Sequence, residues 1–245
     1  MDKAELEIRK GIIAACRAMN GLGINQGTSG NISARCGDRM LITPSGVPYE
    51  DLKPKDIVST RIKDGGKTWD GDLPPSTEWR FHLRILQDRP EVGSVVHTHS
   101  TYATTLAICN KPIPAIHYMV AASGGSEIRV APYATYGAEE LSNVAMKALE
   151  GRTCCLLRNH GVITTGANVK KALWLAVEVE TLARQYYLTL ALDGAQVLPD
   201  QEIAKVIEKF KNYGLRAKPA SGGEKPAAKG ATAPARKMLK KAAAR

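Results

Sequence analysis

Three histidines and one glutamate in this chain are of the types from which a catalytic metal site is built. His97 and His99 lie in Ser94-Val95-Val96-His97-Thr98-His99. On a strand, residues i and i+2 project to the same face. An apolar strand ending in His-x-His therefore offers two imidazoles side by side. His160, in Arg158-Asn159-His160-Gly161, can add a third nitrogen from a separate turn. Three protein ligands with one open position is the catalytic form of a zinc site, whereas structural sites are closed by four ligands that usually include sulfur. The competing reading is a pair of half-buried strand histidines satisfied by hydrogen bonds. Glu78 follows Pro74-Pro75-Ser76-Thr77 at the start of a helical pattern. There it either complements the helix dipole or serves as a base beside the metal. The Ser76 and Thr77 hydroxyls and the first helical N–H groups form a natural anion site. Gly27-Thr28-Ser29-Gly30-Asn31 and Thr43-Pro44-Ser45-Gly46 are two more small polar turns, of the kind whose backbone N–H groups wrap a phosphate. His82 falls inside the helical pattern and reads as structural.

The elements that must position these groups follow from periodicity and turn residues. Residues 3–20 have helical spacing, with apolar positions at Leu6, Ile12, Ile13, Cys16 and Met19. Short strands are expected at Ile32–Arg35, Met40–Thr43, Ile57–Arg61, Ser94–His99 and Ile128–Ala131. A hairpin of Thr153–Arg158 and Val162–Thr165 should turn at Asn159-His160-Gly161. Helices are expected over Ser76–Arg89, 100–108, Ala138–Leu149, 168–192 and 200–212. The strands lie close enough in sequence to pair as antiparallel neighbours. The expected fold is a single α/β domain with a mixed, mostly antiparallel central sheet covered by helices. There is no GxGxxG after a strand and no GxxxxGK[ST], so dinucleotide and P-loop chemistry are not indicated.

Composition narrows the class. The chain has 245 residues, 44% hydrophobic and 24% charged, suited to one folded core. No run approaches the ~18 apolar residues of a membrane span, and the start Met1-Asp2-Lys3-Ala4-Glu5 has no signal-peptide character. Cys16, Cys36, Cys109, Cys154 and Cys155 are odd in number and include no CxxC. That argues against a disulfide framework and for the cytoplasm. The net charge of +10, with pI about 9.4, invites a nucleic-acid reading. However, residues 218–245 hold eight basic side chains against Glu224 alone, which leaves only +3 for residues 1–217. The expected division is a catalytic domain over 1–217 and a disordered, basic Ala/Lys/Pro-rich tail over 218–245. Nucleic-acid binding is then not the expected function. If it occurred, it would be salt-sensitive and lost on truncation at 217.

QGTSGNIS, LITPSGVPYE, PPSTEWRFH, SVVHTHS, IPAIHYM, APYATYG, RNHG, KALWLAVEVETLA and FKNYGLR follow one another in an order and spacing that resemble the class II aldolase/adducin family. The likeness runs from about residue 3 to 216. It implies a zinc ion held by His97, His99 and His160, with manganese or cobalt as alternatives. It also implies that Glu78 is the catalytic acid/base and approaches the metal when substrate is absent. By the same resemblance Gly30, Asn31, Ser45, Gly46, Ser76 and Thr77 hold the substrate phosphate, with hydroxyls retained where Ser45 and Thr77 depart from the usual residues. Tyr118 is the implied proton donor at the aldehyde oxygen, and Tyr213 closes over the site. Tyr136 stands where a phenylalanine is common. The implied protein is a homotetramer in which Tyr118 and Tyr213 reach a neighbour's site.

The implied reaction is reversible, metal-dependent cleavage of a ketose 1-phosphate of the L-fuculose 1-phosphate type. Its products are dihydroxyacetone phosphate and a small aldehyde such as L-lactaldehyde. No Schiff-base lysine is called for. One alternative is cleavage of 5-deoxyribulose 1-phosphate or 5-methylthioribulose 1-phosphate in salvage of 5′-deoxynucleosides. Pentulose-phosphate epimerases and methylthioribulose-phosphate dehydratases share the histidines but not the run of aldolase motifs. A non-catalytic, adducin-like binding module is disfavoured because all three histidines and Glu78 are present.

Overall fold

The computed structural model describes residues 1–212. Asp2 caps the first helix, α1 (Lys3–Gly21), by accepting from the Glu5 N–H at 2.8 Å. Next come β1 (Asn31–Cys36), β2 (Arg39–Ile42), β3 (Val58–Arg61), α2 (Trp79–Asp88), β4 (Ser94–Thr98) and α3 (Thr101–Ile108). The chain continues through β5 (Ile113–Pro114), β6 (Glu127–Ile128), β7 (Val130–Ala131), α4 (Glu139–Ala148), β8 (Cys154–Leu157) and β9 (Gly161–Gly166). It closes with α5 (Val169–Thr189) and α6 (Asp200–Asn212). The side-chain carbonyl of Asn168 caps α5 by accepting from Lys171 N–H.

Seven strands form one sheet in the order β3-β2-β1-β4-β9-β8-β7, in which only the β7–β8 pair is parallel. Strands β5 and β6 form a separate antiparallel pair. Both faces of the large sheet are covered, so β4 is buried at every position. Alternation along β4 assigns each side chain to a layer. Val95 packs with Met40, Ile42, Phe81, Ile85 and Leu141 under α2 and α4. Val96 packs with Ile12, Cys16, Ile32, Leu41 and Ala176 under α1 and α5. His97 therefore returns to the α2 side, where its ring meets Phe81 edge-on at 5.4 Å.

The mixed, mostly antiparallel sheet covered by helices is the architecture expected from the sequence; the differences lie at the small sheet, whose strand β5 had no counterpart among the expected strands. The single strand expected at Ile128–Ala131 is two strands with different partners. Ile128 pairs with Ile113, whereas Val130 and Ala131 pair with Leu156 and Leu157. The chain passes at Arg129 from the small sheet to the edge of the large one.

Residues Met1–Lys211 form one compact unit. Tyr213 and the tail expected at 218–245 lie outside the described residues. Among the described residues, no helix is long and apolar enough to cross a membrane.

Candidate active site and metal centre

β4 carries His97 on its last turn of pleat, and His99 follows just past the strand end. Register places His97 opposite Asn31 on one side and Ile163 on the other. His160 sits in the turn from β8 to β9, after Asn159, which takes a left-handed φ of 54°. Gly161 is what lets this turn approach β4. A Cβ there would stand 2.5 Å from the Thr98 carbonyl oxygen and 2.8 Å from the His99 ring. No side chain fits in that gap, so the Asn-His-Gly turn needs glycine after its histidine.

Glu78 is the residue immediately before α2. Its side chain makes no capping hydrogen bond to its own helix. It is instead buried, 4% exposed, against the histidines. Its Oε2 lies 3.1 Å from His97 Nε2 and its Oε1 lies 3.0 Å from His160 Nε2. Burial works against the charge on this carboxyl, but a proton carried toward it on the His97 and His160 rings outweighs burial and holds the group well below the ordinary carboxylate range; with neutral rings a cation must take that proton's place. Burial, then the neighbouring His97 and His160 rings, lowers His99 to about 4.

The arrangement fits a metal ion. The ligand atoms of Glu78, His97, His99 and His160 all lie within 4.8 Å of one another. His97 Nδ1–H donates to the Val162 carbonyl at 2.8 Å, which leaves a lone pair on Nε2 in the neutral ring. That Nε2 stands 2.9 Å from the Nε2 of His99. Glu78 Oε1 is buried and has no well-aligned hydrogen-bond donor. Lone pairs converging on lone pairs, with a buried oxygen left over, are satisfied together by one divalent cation.

A cleft of about 410 Å³ opens beside this centre, lined by Thr28, Ser29, Ser45, Gly46, Thr77 and Tyr136 along with Glu78, His99 and His160. Two backbone hydrogen bonds, Ser45 N–H to Pro74 O and Ser76 N–H to Thr43 O, both 3.0 Å, hold the Ser45-Gly46 turn against the Ser76-Thr77 segment. Of the residues expected at a phosphate, Ser45, Gly46 and Thr77 thus stand at the cleft wall. The others lie beneath it. Ser76 is buried, with its Oγ accepting from Glu78 N–H. Gly30 is packed so tightly that a Cβ would meet the His97 carbonyl oxygen at 2.7 Å. The Asn31 side chain is buried and donates to Glu78 Oε2 at 3.0 Å. Thr28 and Ser29, in the turn expected at a phosphate though not among the residues assigned to it, also line the cleft, as do Tyr133 and Asn159. The two hydroxyls in the Gly27–Asn31 turn were the available signal.

Tyr118 begins a short 3-10 helix, is 49% exposed, and is not among the residues lining the cleft of its own chain.

The profile of the Class II Aldolase and Adducin N-terminal domain matches residues 10–187. This chain belongs to that family. It is 51% identical over 214 residues to the 5-methylthioribulose-1-phosphate/5-deoxyribulose-1-phosphate aldolase of Rhodospirillum rubrum, covering 87% of this chain and 96% of the relative. It is 52% identical over 211 residues to the L-fuculose phosphate aldolase of Escherichia coli strain K12, covering 86% and 97%. A solved L-fuculose 1-phosphate aldolase superposes with a TM-score of 0.81 at 39% identity, covering 84% of this chain and 96% of that one. Membership in the class II aldolase and adducin family accounts for the fold and for the clustered metal donors together.

Proposed function

We propose that this chain is a cytoplasmic, divalent-metal-dependent aldolase. It cleaves a ketose 1-phosphate of the L-fuculose 1-phosphate type, reversibly, to dihydroxyacetone phosphate and a small aldehyde such as L-lactaldehyde. The observation that carries this reading is a buried carboxylate touching two of three clustered imidazoles, at the floor of a cleft rimmed with hydroxyls. His97, His99 and His160 would hold the ion, with Glu78 as a fourth donor in the absence of substrate. Zinc suits this nitrogen-rich set, and manganese or cobalt are the alternatives. When bound, the ion supplies Lewis-acid polarisation of the substrate's carbonyl and hydroxyl oxygens.

The chain's own groups supply the rest. Thr28, Ser29, Ser45, Gly46 and Thr77 offer hydroxyl and backbone donors to the phosphate, with Gly30, Asn31 and Ser76 supporting them from below. Glu78 gives a proton to C3 as the C3–C4 bond breaks, and removes it in the synthetic direction. Tyr118 is the proton partner at the aldehyde oxygen, and Tyr213 closes over the site. Tyr118 is half exposed and stands outside the cleft of its own chain, so its proposed role requires a neighbour's site, and the proposal places Tyr118 and Tyr213 there in a homotetramer. The five cysteines are free thiols, in keeping with a reducing compartment.

A second reading, cleavage of 5-methylthioribulose 1-phosphate or 5-deoxyribulose 1-phosphate, is favoured equally by the Rhodospirillum rubrum relative. Both readings share the dihydroxyacetone phosphate half and differ only in the aldehyde. A cleavage panel separates them: L-fuculose, L-ribulose, 5-deoxyribulose and 5-methylthioribulose 1-phosphates, with dihydroxyacetone phosphate as the readout. The substrate with the highest kcat/KM identifies the aldehyde. No product from any of the four, with metal loaded, would rule out the aldolase reading.

A further inference from the structure

His82 has no place in the cleft, yet it is fully buried and both of its ring nitrogens are engaged. Asn31 and Ser33 stand two apart on β1 and so face the same side of the sheet, the side covered by α2. His82, one turn along α2 from Glu78, meets them both. Its Nδ1 lies 2.8 Å from Ser33 Oγ and its Nε2 lies 2.5 Å from Asn31 Oδ1. Asn31 Nδ2 in turn lies 3.0 Å from Glu78 Oε2.

The chemistry at the far end sets the direction of every bond in this chain. A carboxylate only accepts, so Asn31 presents its NH₂ to Glu78 and its carbonyl to His82. A carbonyl also only accepts, so the proton of the neutral His82 ring is on Nε2. Nδ1 is then an acceptor, and Ser33 O–H donates to it. The donors run one way: Ser33 to His82, His82 to Asn31, Asn31 to Glu78. Turning the Asn31 amide over would set its oxygen against Glu78 Oε2 and its NH₂ against the His82 N–H. The oxygen–oxygen contact is repulsive in either ring tautomer, and the second contact is repulsive while the ring keeps its proton on Nε2, in a site closed to water.

We propose that His82 is a positioning residue for the aldol reaction: by donating from Nε2 it locks the Asn31 amide with its NH₂ toward Glu78, and so fixes the carboxylate that transfers the proton at C3. This rests on the proposed role of Glu78. It also gives Asn31, expected from sequence at the phosphate, a function below the cleft.

The test uses the metal-loaded enzyme and two substitutions. His82→Phe keeps a ring of similar size and removes both nitrogens. His82→Gln keeps one donor and one acceptor. For His82→Phe the expected result is a fall in kcat of about tenfold or more, the effect of misaligning the Asn31 N–H that the charged Glu78 carboxylate accepts. KM should stay within about twofold and the bound metal should be unchanged. His82→Gln should recover most of the loss. In the Glu78→Gln background, His82→Phe should lower kcat no further, since its effect passes through the carboxylate.

A readout independent of activity is the ¹⁵N spectrum of the wild-type imidazole, which should show the Nε2–H form near neutral pH. Detection of the Nδ1–H form would overturn the proposal even if the variants fail to fold. So would equal kcat losses for His82→Phe and His82→Gln in folded, metal-replete enzymes, or a further loss in the Glu78→Gln background. Full turnover by Glu78→Gln alone would instead remove the role of Glu78 on which the proposal rests.

Discussion

The floor of the site and its rim are built on opposite terms. On the floor, Glu78, His97, Asn31 and His82 are all buried and tied to one another by hydrogen bonds or short contacts. They come from elements on the α2 side of a sheet covered on both faces, where packing leaves each side chain one orientation. At the rim, Tyr133 is 58% exposed and Tyr136 is 66% exposed, both on the irregular stretch between β7 and α4. Among the described residues, no side-chain hydrogen bond or ring contact fixes those rings. The difference teaches where each property of the enzyme is encoded. Under the proposed mechanism, bond cleavage and proton transfer depend on the preorganised floor. Under the same proposal, discrimination between aldehydes falls to the part of the cleft that is loosely held.

The strongest way to break the floor is Glu78→Gln. It keeps the shape and removes the proton-transfer group, so turnover should fall by about 10²–10⁴ with metal still bound. Steady-state kinetics and metal analysis on the same sample check this. Turnover close to wild type would dissolve the contrast between floor and rim.

Gly161→Ala attacks the geometry rather than the chemistry. The added methyl would stand 2.5 Å from the Thr98 carbonyl oxygen, so the β8–β9 turn must move away from β4. A destabilisation of about 1–3 kcal/mol is expected, together with weaker metal retention as His160 is displaced. Urea unfolding and metal analysis after dialysis measure the two. Wild-type stability and metal content in Gly161→Ala would mean that the turn does not need the close approach.

Acid sharpens the comparison without a substitution. Burial, and next the neighbouring His97 ring, push His82 down to about 3. Below the ordinary histidine range near pH 6.5, the unfolded chain binds a proton that the folded chain refuses. Stability is then fully present above about pH 6.5 and declines as pH falls toward 3. At its steepest the loss is about 1.4 kcal/mol per pH unit. His82→Gln should flatten part of this dependence in urea titrations between pH 7 and 4.5. A rim substitution should not. An unchanged slope in His82→Gln would place the acid sensitivity elsewhere.

The smallest effect is expected at the rim itself. Tyr136→Phe removes one exposed hydroxyl from the cleft wall. It should shift the ratio of kcat/KM between two ketose phosphates by about two- to tenfold, the range of a single solvent-competed hydrogen bond. Metal content and thermal stability should not change. A collapse of activity on every substrate would show that the rim takes part in the chemistry.

Much of this was readable along the chain because it is local. A short β-branched run placed a strand at Ser94–His99, and β4 spans Ser94–Thr98, ending one residue before His99. Apolar spacing with a Pro-Pro-Ser-Thr entry placed a helix over Ser76–Arg89 with Glu78 in its first turn; α2 itself is shorter, Trp79–Asp88, and leaves Glu78 just before it. Turn chemistry at Asn159-His160-Gly161 placed the hairpin of β8 and β9. What was not readable is which way non-local neighbours bring a side chain. Asn31 sits in a loop-to-strand motif that suggests a phosphate, but its amide is turned to Glu78 and His82. His82 lay on an apolar helix face and read as ordinary core.

The sequence by itself determined most of the helices and strands, brought forward the four residues that cluster at the site and, through long motifs in fixed order, indicated the family. Those features rest on period and on neighbours within a few residues. Only the tertiary structure decided that the β9 hairpin pairs with β4, so that His160 closes on His97, and that Asn31 crosses from the cleft to the floor. Periodicity assigns a residue to a face but does not say which element will cover that face. That choice is made by packing between segments far apart in the chain, here β1 against α2 and β4 against β9.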